Sequence, residues 1–376
     1  MHIYFVNYNK FIGASGIHIH FLANSLVERG IKCTVCVPSD RNSVYSFGDV
    51  KYETILFTQL IYRILINKKV FLSDDPIIHA WTPRENVRLL VQWAVNRLKI
   101  PYYVHLEDNE EFIYNTIVSD DSIVMRLMKS YKYRFRMIDP QKYKAFLNNS
   151  SGVSCIIDSL EEFVPSGVQR VTFYPSCESR FFEMSDKTDL ELKYKLNIPT
   201  DALIITYTGG IHHSNYEEVE TLYKAIIEIN DKANRNVYLL HCGLGKIAEY
   251  DNYPYILECG YIDPSHLYEF IQIADILVQP GTLNQFNNYR FPSKLPMYLA
   301  SGRPVVLPKT NIGSKLHDKT NCLLLKYGTT KELVVKIGKL VNDKELRGKI
   351  GESGRNFARE NLDWERSIEI LLKLYE

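Results

Sequence analysis

The sequence predicts an α/β protein of two domains, each a parallel sheet with flanking helices. Three observations predict it. First, the chain opens as β-loop-α-β. An apolar run, Ile3 to Val6, leads through the loop NYNKFIGASG into a helical pattern from Ile17 to Arg29, with Ile17, Phe21, Leu22, Leu26 and Val27 on one side. Gly30 stops it, and a second apolar run, Ile31 to Val37, follows. Second, the same kind of unit recurs far along the chain. Ile276 to Val278 reads as a strand, a polar loop follows, a short helix runs from about Ser293 to Ser301, Gly302 stops it, and Pro304 to Leu307 starts the next strand. Third, 376 residues are enough for two cores.

Composition narrows the function classes. Hydrophobic residues make up 45% and charged residues 24%, as in a soluble globular protein. A net charge of +1 gives no overall basic field of the kind that nucleic acid requires. The seven cysteines are Cys33, Cys36, Cys155, Cys177, Cys242, Cys259 and Cys322. Cys33 and Cys36 form a CxxC inside the apolar run CTVCV with no second ligand pair, so buried thiols are expected there. Their odd number and the absence of a leader pattern predict a reducing, cytoplasmic setting. No apolar run reaches the ~20 residues of a membrane-spanning helix.

The first domain continues irregularly through 39–76. Ile77 to Ala80 reads as a strand, Val87 to Leu98 as a helix, and Tyr102 to His105 as a strand ending in HLEDNEE. His105 stands at a strand's carboxyl end, where open α/β sheets place ligands. Glu107, Asp108, Glu110 and Glu111 match no standard metal loop and read as a solvated helix start, with acids near the positive dipole end. Residues 125–146 are basic and aromatic, with Arg126, Lys129, Lys132, Arg134, Arg136, Lys142 and Lys144. Three readings compete for them: a solvated face, which is the default, a contact with acidic lipid, or a site for an anionic acceptor such as a lipid diphosphate. Val153 to Ile157 and Val171 to Tyr174 read as the last strands, and Met184 to Lys195 as a linker.

The second domain opens with the strand Leu203 to Tyr207 and the turn TGGIHHSN. There Gly209 and Gly210 allow a close backbone turn beneath a ligand, and His212, His213 and Asn215 stand nearby. An amphipathic helix spans Glu217 to Asn230. Strands at 237–242 and 255–261, a helix at 266–273, a strand at 321–325 and helices at 331–342 and 344–360 follow. DWERSIEILLKLYE forms a terminal amphipathic helix. At the 275–307 unit, Ser293 is a good N-cap and Pro296 falls in the first turn. Arg290 precedes that helix start and Lys294 lies just inside it. Free amides at Lys294 and Leu295 would add to these cations, and together they suit a diphosphate.

PSKLPMYLASGRPVV resembles the P-(S/T)-K-x-x-E-(Y/F)-x-A-x-G-x-P-V segment of retaining glycosyltransferase family four, which has the GT-B fold. The variant with FN-x-YR before PSK is similar at Phe286, Asn287, Tyr289 and Arg290. Two departures stand out. The family's ribose-binding Glu falls on Met297, and its upstream partner acid falls on Tyr289. The resemblance is patchy over 1–180 and nearly continuous over 203–375. It implies two Rossmann-like domains facing a cleft. An acceptor-side domain would comprise 1–183 with a returning helix at 361–376, and a nucleotide-sugar domain 184–360, with hinges near 180–190 and 360.

The implied reaction moves a sugar, with retention, from a nucleotide diphosphate-sugar to an acceptor hydroxyl in glycan or polysaccharide synthesis. No metal or cofactor is implied. Arg290 and Lys294 would stabilise the leaving diphosphate and His105 would orient the sugar. Gly209, Gly210, His212, Asn215, Tyr261, Ile262, Asn287, Tyr289, Ser293, Leu295 and Met297 would line the donor site. Gly13 and Gly16 would face the phosphates or the acceptor. The implied partners are the donor and a glycan or lipid-linked acceptor, at the cytoplasmic side. Beside the resemblance, a peripheral membrane contact through 125–146 stays open as one of the three readings of that stretch, with the solvated face as default. Missing family acids leave two alternatives: a non-catalytic GT-B partner subunit, or a GT-B sugar-nucleotide epimerase.

Overall fold

Runs of β-branched and apolar residues bounded by Gly, Pro and Asn build two all-parallel sheets. The computed structural model describes residues 1–11, 13–72, 74–119, 122–184, 190–233 and 236–376. The first sheet contains β1 (His2–Asn7), β2 (Lys32–Val37), β3 (Glu53–Leu56), β4 (Pro76–Trp81), β5 (Tyr102–Leu106), β6 (Gly152–Cys155) and β7 (Arg170–Thr172), in the order β3-β2-β1-β4-β5-β6-β7. The second contains β8 (Leu203–Thr208), β9 (Val237–Cys242), β10 (Ile256–Gly260), β11 (Ile276–Val278), β12 (Val305–Pro308) and β13 (Leu323–Leu325), in the order β10-β9-β8-β11-β12-β13. Both orders run outward from the first strand to one side and then jump to the other. The direction therefore reverses between β1 and β4 and between β8 and β11, where doubly wound sheets open a crevice. The fold class is the expected one: α/β, two parallel-sheet Rossmann-like domains.

The chain divides into two units. One comprises Met1–Pro175, Tyr289–Phe291 and Trp364–Glu376. The other comprises Ser176–Asn288 and Pro292–Asp363. The first division falls at Pro175, earlier than the expected 183, because the PSCESRFF segment is tied to the second unit. Ser176 Oγ donates to the Leu362 carbonyl, and Arg180 donates to the carbonyls of Pro264 and Ser265 at 3.1 and 3.2 Å. Of the expected linker, 185–189 lie outside the described residues. Leu190–Lys195 is a helix whose Lys193 is buried and donates to the carbonyls of Thr200 and Ala202.

In the first unit, Ile3, Phe5, Leu22, Val35 and Trp81 form one continuous core with Trp364, Ile368, Leu371 and Leu374 of the Trp364–Tyr375 helix. The expected return of this helix to the first domain is thus observed, beginning at Trp364. The stretch 39–76, read as irregular, holds β3 at the sheet edge and the Phe57–Ile66 helix. Residues 125–146 fall mainly on two helices, Ile123–Tyr133 and Tyr143–Asn148. Cys33 and Cys36 are buried free thiols, as expected, and burial pushes the Cys33 thiol up to about 12.

Candidate functional site

In the second unit, the strand end at the order reversal is built around Gly209. β8 leads into Gly209, whose N–H donates to the Cys242 carbonyl at 2.9 Å, while Ile211 N–H donates to the Leu244 carbonyl at 2.7 Å. The strand-end loops of β8 and β9 therefore lie against each other. Gly243 packs so closely on the Gly209 backbone that it has no room for a Cβ. Buried His241, on β9, donates from Nε2 to the Gly209 carbonyl at 2.7 Å, and its Nδ1 faces Glu258 Oε2 at 2.5 Å. Tyr298 reaches across from the short helix Leu295–Ala300. Its hydroxyl accepts from Thr208 N–H at 2.6 Å and lies 3.0 Å from Thr208 Oγ1. Lys294 stands one helical turn before Tyr298, so this anchor brings its ammonium to Gly209. Lys294 Nζ lies 4.5 Å from the centre of the Tyr207 ring and occupies the space a Gly209 Cβ would need.

Two polar side chains brace the loops on either side. Asn215 Oδ1 accepts from His212 N–H at 2.8 Å and its amide donates to the Gly210 carbonyl at 2.9 Å, closing the turn after β8. Glu218, in the first turn of the Tyr216–Ala233 helix, accepts at Oε1 from Thr282 N–H, Thr282 Oγ1, Asn284 and Asn287, the last at 2.6 Å. One carboxylate thus fixes the loop that leaves β11.

In the first unit, Glu107 and Glu110 beyond β5 are buried rather than solvated, contrary to expectation, while Glu111 stays partly exposed beside Lys144. Glu107 is buried. It accepts from Ser15 Oγ and, at 2.9 Å, from His18 Nδ1, both on the Gly13–Glu28 helix. Burial opposes its ionisation, but these hydrogen bonds outweigh it and hold the carboxyl down at about 2. Glu110 accepts from Arg84 Nε at 2.9 and 3.1 Å, and the Arg84 guanidinium lies 3.9 Å over the Tyr8 ring. Asp108 sits between these acids. Burial first, then the charges of Glu110 and Glu107, push it up to about 7 against the pull of Arg84 and Arg290. The acids converge because β5 runs on to Leu106 and turns sharply into the Glu110–Val118 helix.

His105, expected to orient a sugar, lies inside β5 rather than beyond it, paired in register with Trp81 and Ser154. Its ring stacks 3.9 Å from Trp81 and 5.3 Å from Phe173, its Nδ1 meets Ser154 Oγ at 2.7 Å, and it is wholly buried. Desolvation lowers it to about 3, so it is a neutral core ring. The same serine meets His79 Nε2 at 3.1 Å, and His79 Nδ1 lies 2.6 Å from the Tyr375 hydroxyl. Gly13 and Gly16 are not in a loop but in the first turn of the Gly13–Glu28 helix. A Cβ on Gly16 would approach the Phe11 backbone to 3.2 Å, so this glycine serves close packing.

Residues 202–343 match the family model Glycosyl transferases group 1. Every residue of the Gly209–Lys294 site lies in that segment. Over 180 residues the chain is 24% identical to an uncharacterised glycosyltransferase of Methanocaldococcus jannaschii, a match covering 46% of this chain and 44% of that protein. It therefore spans less than half of that relative's length. Among solved structures, the chain is similar to sucrose-phosphate synthase from Thermosynechococcus elongatus, with a TM-score of 0.70 and 16% identity over 100% of this chain and 98% of the other. It is also similar to Anabaena HepE in complex with UDP-glucose, with a TM-score of 0.69 and 15% identity over 100% and 99%. These likenesses show the fold, two parallel-sheet Rossmann-like domains as in GT-B, over the whole chain.

The structure brings together Gly209, Gly210, Asn215 and Lys294. It gives several expected site residues other work. Asn287 is buried, with its amide on Glu218 and on the Thr282 carbonyl. Tyr289 groups with the first unit, where its hydroxyl donates to Glu162 at 2.6 Å and its ring meets Phe163 edge-on. Arg290 groups with the same unit. Lys294, not Ser293, is the N-cap, and the Leu295 amide closes a turn onto the Pro292 carbonyl at 3.0 Å, so it is not a free donor. Met297 is half-buried and His212 exposed, with Nδ1 2.7 Å from Ser214 Oγ. Tyr261 and Ile262 follow the edge strand β10, where Tyr261 is exposed and Ile262 packs with Leu192, Ile198 and Phe270. Among the described residues, no group of three or more His, Cys, Asp or Glu is placed to hold a metal ion. Sequence reasoning missed Glu218, His241 and Tyr298. Only Tyr298 left a signal, as the aromatic position of the PSK segment.

Proposed function

We propose that this protein is a glycosyltransferase that moves a sugar, with retention and without a metal ion, from a nucleotide diphosphate-sugar to the hydroxyl of a glycan or lipid-linked acceptor. One observation carries the reading: Lys294, from the PSK segment, is held at the Gly209–Gly210 turn where the strand order of the second sheet reverses. Departure of a nucleoside diphosphate concentrates negative charge on its oxygens, and a fixed ammonium beside a tight backbone turn stabilises that charge as it forms. The Glycosyl transferases group 1 match over the same segment supports the reading, as does the likeness to a structure holding UDP-glucose. Met297 and Tyr289 in place of acids mean that ribose is held by packing and main-chain groups. A polysaccharide product and a cytoplasmic donor supply fit this chemistry.

The test is a screen of UDP-, GDP- and ADP-sugars for thermal stabilisation and for release of free nucleoside diphosphate, with and without chelator. Stabilisation by one donor, with turnover that survives chelation, supports the proposal. Stabilisation with no turnover on any glycan or lipid-linked acceptor would overturn the enzyme reading, and loss of turnover on chelation would overturn metal independence.

A further inference from the structure

The Ile123–Tyr133 helix is mounted with its apolar side outward. At about 100° per residue, Ile123, Leu127, Tyr131, Val124 and Met128 share one arc of roughly 140°. All five are exposed, at 73%, 67%, 67%, 65% and 60%. The side turned towards the protein makes polar contacts. Ser130 Oγ meets the Tyr114 hydroxyl of the Glu110–Val118 helix at 3.3 Å, and Lys129 Nζ donates to the Ser119 carbonyl at 3.1 Å. No residue of the helix is buried. Exposed Phe135 extends the apolar stripe beyond the helix end. A surface helix ordinarily buries its apolar stripe, and a contiguous exposed one marks a contact surface.

Charge identifies what covers it. Ser122–Ile138 contains five basic residues, Arg126, Lys129, Lys132, Arg134 and Arg136, and no acid. With Asp120 and Asp121 just before it, the stretch 120–138 carries 5 − 2 = +3. Lys132 falls about 40° beyond Met128, and exposed Arg126 about 60° beyond Ile123 on the other side, past Ser130. The Arg134 guanidinium lies 4.2 Å over the Tyr131 ring and 4.6 Å over Phe135. An apolar stripe bordered on both sides by long cationic side chains complements a surface in which an apolar layer lies beneath a sheet of negative charge. The helix is about 16 Å long, the length of an element that lies along a bilayer rather than one that crosses it.

We propose that this helix seats the protein on an anionic lipid bilayer, with Ile123, Val124, Leu127, Met128 and Tyr131 in the acyl boundary and Arg126, Lys132 and Arg134 among the headgroups. The proposal is independent of the donor chemistry. It is tested by flotation of the full chain with vesicles of phosphatidylcholine alone and of phosphatidylcholine mixed with phosphatidylglycerol, alongside sedimentation in solution. The mixed vesicles should bind at least ~10-fold more tightly, and added salt should weaken that binding. Leu127→Ser with Met128→Ser, and separately Arg126→Gln with Lys132→Gln, should each reduce it ~10-fold or more, with circular dichroism and the unfolding midpoint unchanged because none of the four side chains is buried. Absence of binding, equal binding to both vesicle types, or indifference to both double variants overturns the proposal. So does a wild-type dimer in solution that the Leu127→Ser, Met128→Ser variant dissociates, since the stripe would then belong to a second copy.

Discussion

Lys294 is placed so that its charge can be removed without emptying a core: its side chain is half-buried and rests on the Tyr207 ring. Lys294→Ala should therefore reduce nucleotide-sugar turnover by ~10²-fold or more while the unfolding midpoint moves little. Wild-type turnover would move the charge stabilisation elsewhere. The two carboxylates after β5 behave oppositely with pH. Glu107 is held down at about 2, so its contribution is present above the usual carboxylate range and is lost as pH falls through about 2. Glu107→Gln should cost stability at neutral pH, in denaturant unfolding, and progressively less as pH falls below the ordinary carboxylate range. Asp108 is pushed up to about 7, so its ionisation opposes the fold, and stability is lost as pH rises from the ordinary carboxylate range through about 7. Asp108→Asn should stabilise the protein at pH ~8 more than at pH ~5. A pH-independent difference would mean that Asp108 ionises normally.

The Leu295–Ala300 helix owes its position to Tyr298 more than to its own length, since six residues carry little helical stability alone. Tyr298→Phe would leave Thr208 N–H buried without its acceptor, a cost of about 1–3 kcal/mol. It should also reduce turnover through Lys294, one turn earlier. Thermal unfolding together with donor titration checks both effects, and unchanged donor affinity would uncouple the helix from the site. The strands were legible because β1, β2, β4, β5, β8, β9 and β11 are near-continuous apolar runs, the mark of sheets buried on both faces. β3 was missed because an edge strand with one buried residue among four gives no such run. The PSK unit was legible from its Pro, Gly and Lys spacing. Its helix start was misjudged because capping depends on backbone angles: Lys294 is in the helical region and no side chain caps the helix. His105 was misjudged by one pairing register. A strand that extends to Leu106 turns a strand-end histidine into a core ring. Glu218 and His241 were illegible because each acts on backbone groups distant in sequence.

At the scale of the molecule, the first unit is assembled from residues 1–175, 289–291 and 364–376, with the second unit's chain between them. The returning helix is part of the core. Trp364, Ile368, Leu371 and Leu374 are buried, Leu374 lies where a side chain on Gly152 would go, and Tyr375 meets His79. At about 2–5 kcal/mol for each large buried side chain removed, losing all four is on the scale of the ~5–15 kcal/mol that holds a domain together. Truncation after Asp363 should leave the first unit open to limited proteolysis while peptides from 203–342 stay protected. Equal protection of both would make the helix dispensable. The same layout sets an order of birth. The ribosome releases the seven strands of the first sheet long before the helix that closes over them, and that wait lengthens with every residue of the intervening unit. The nascent first sheet therefore holds an open apolar seat while residues 176–363 are made. A nonsense lesion in codons 364–376 is felt in the sheet that was made first.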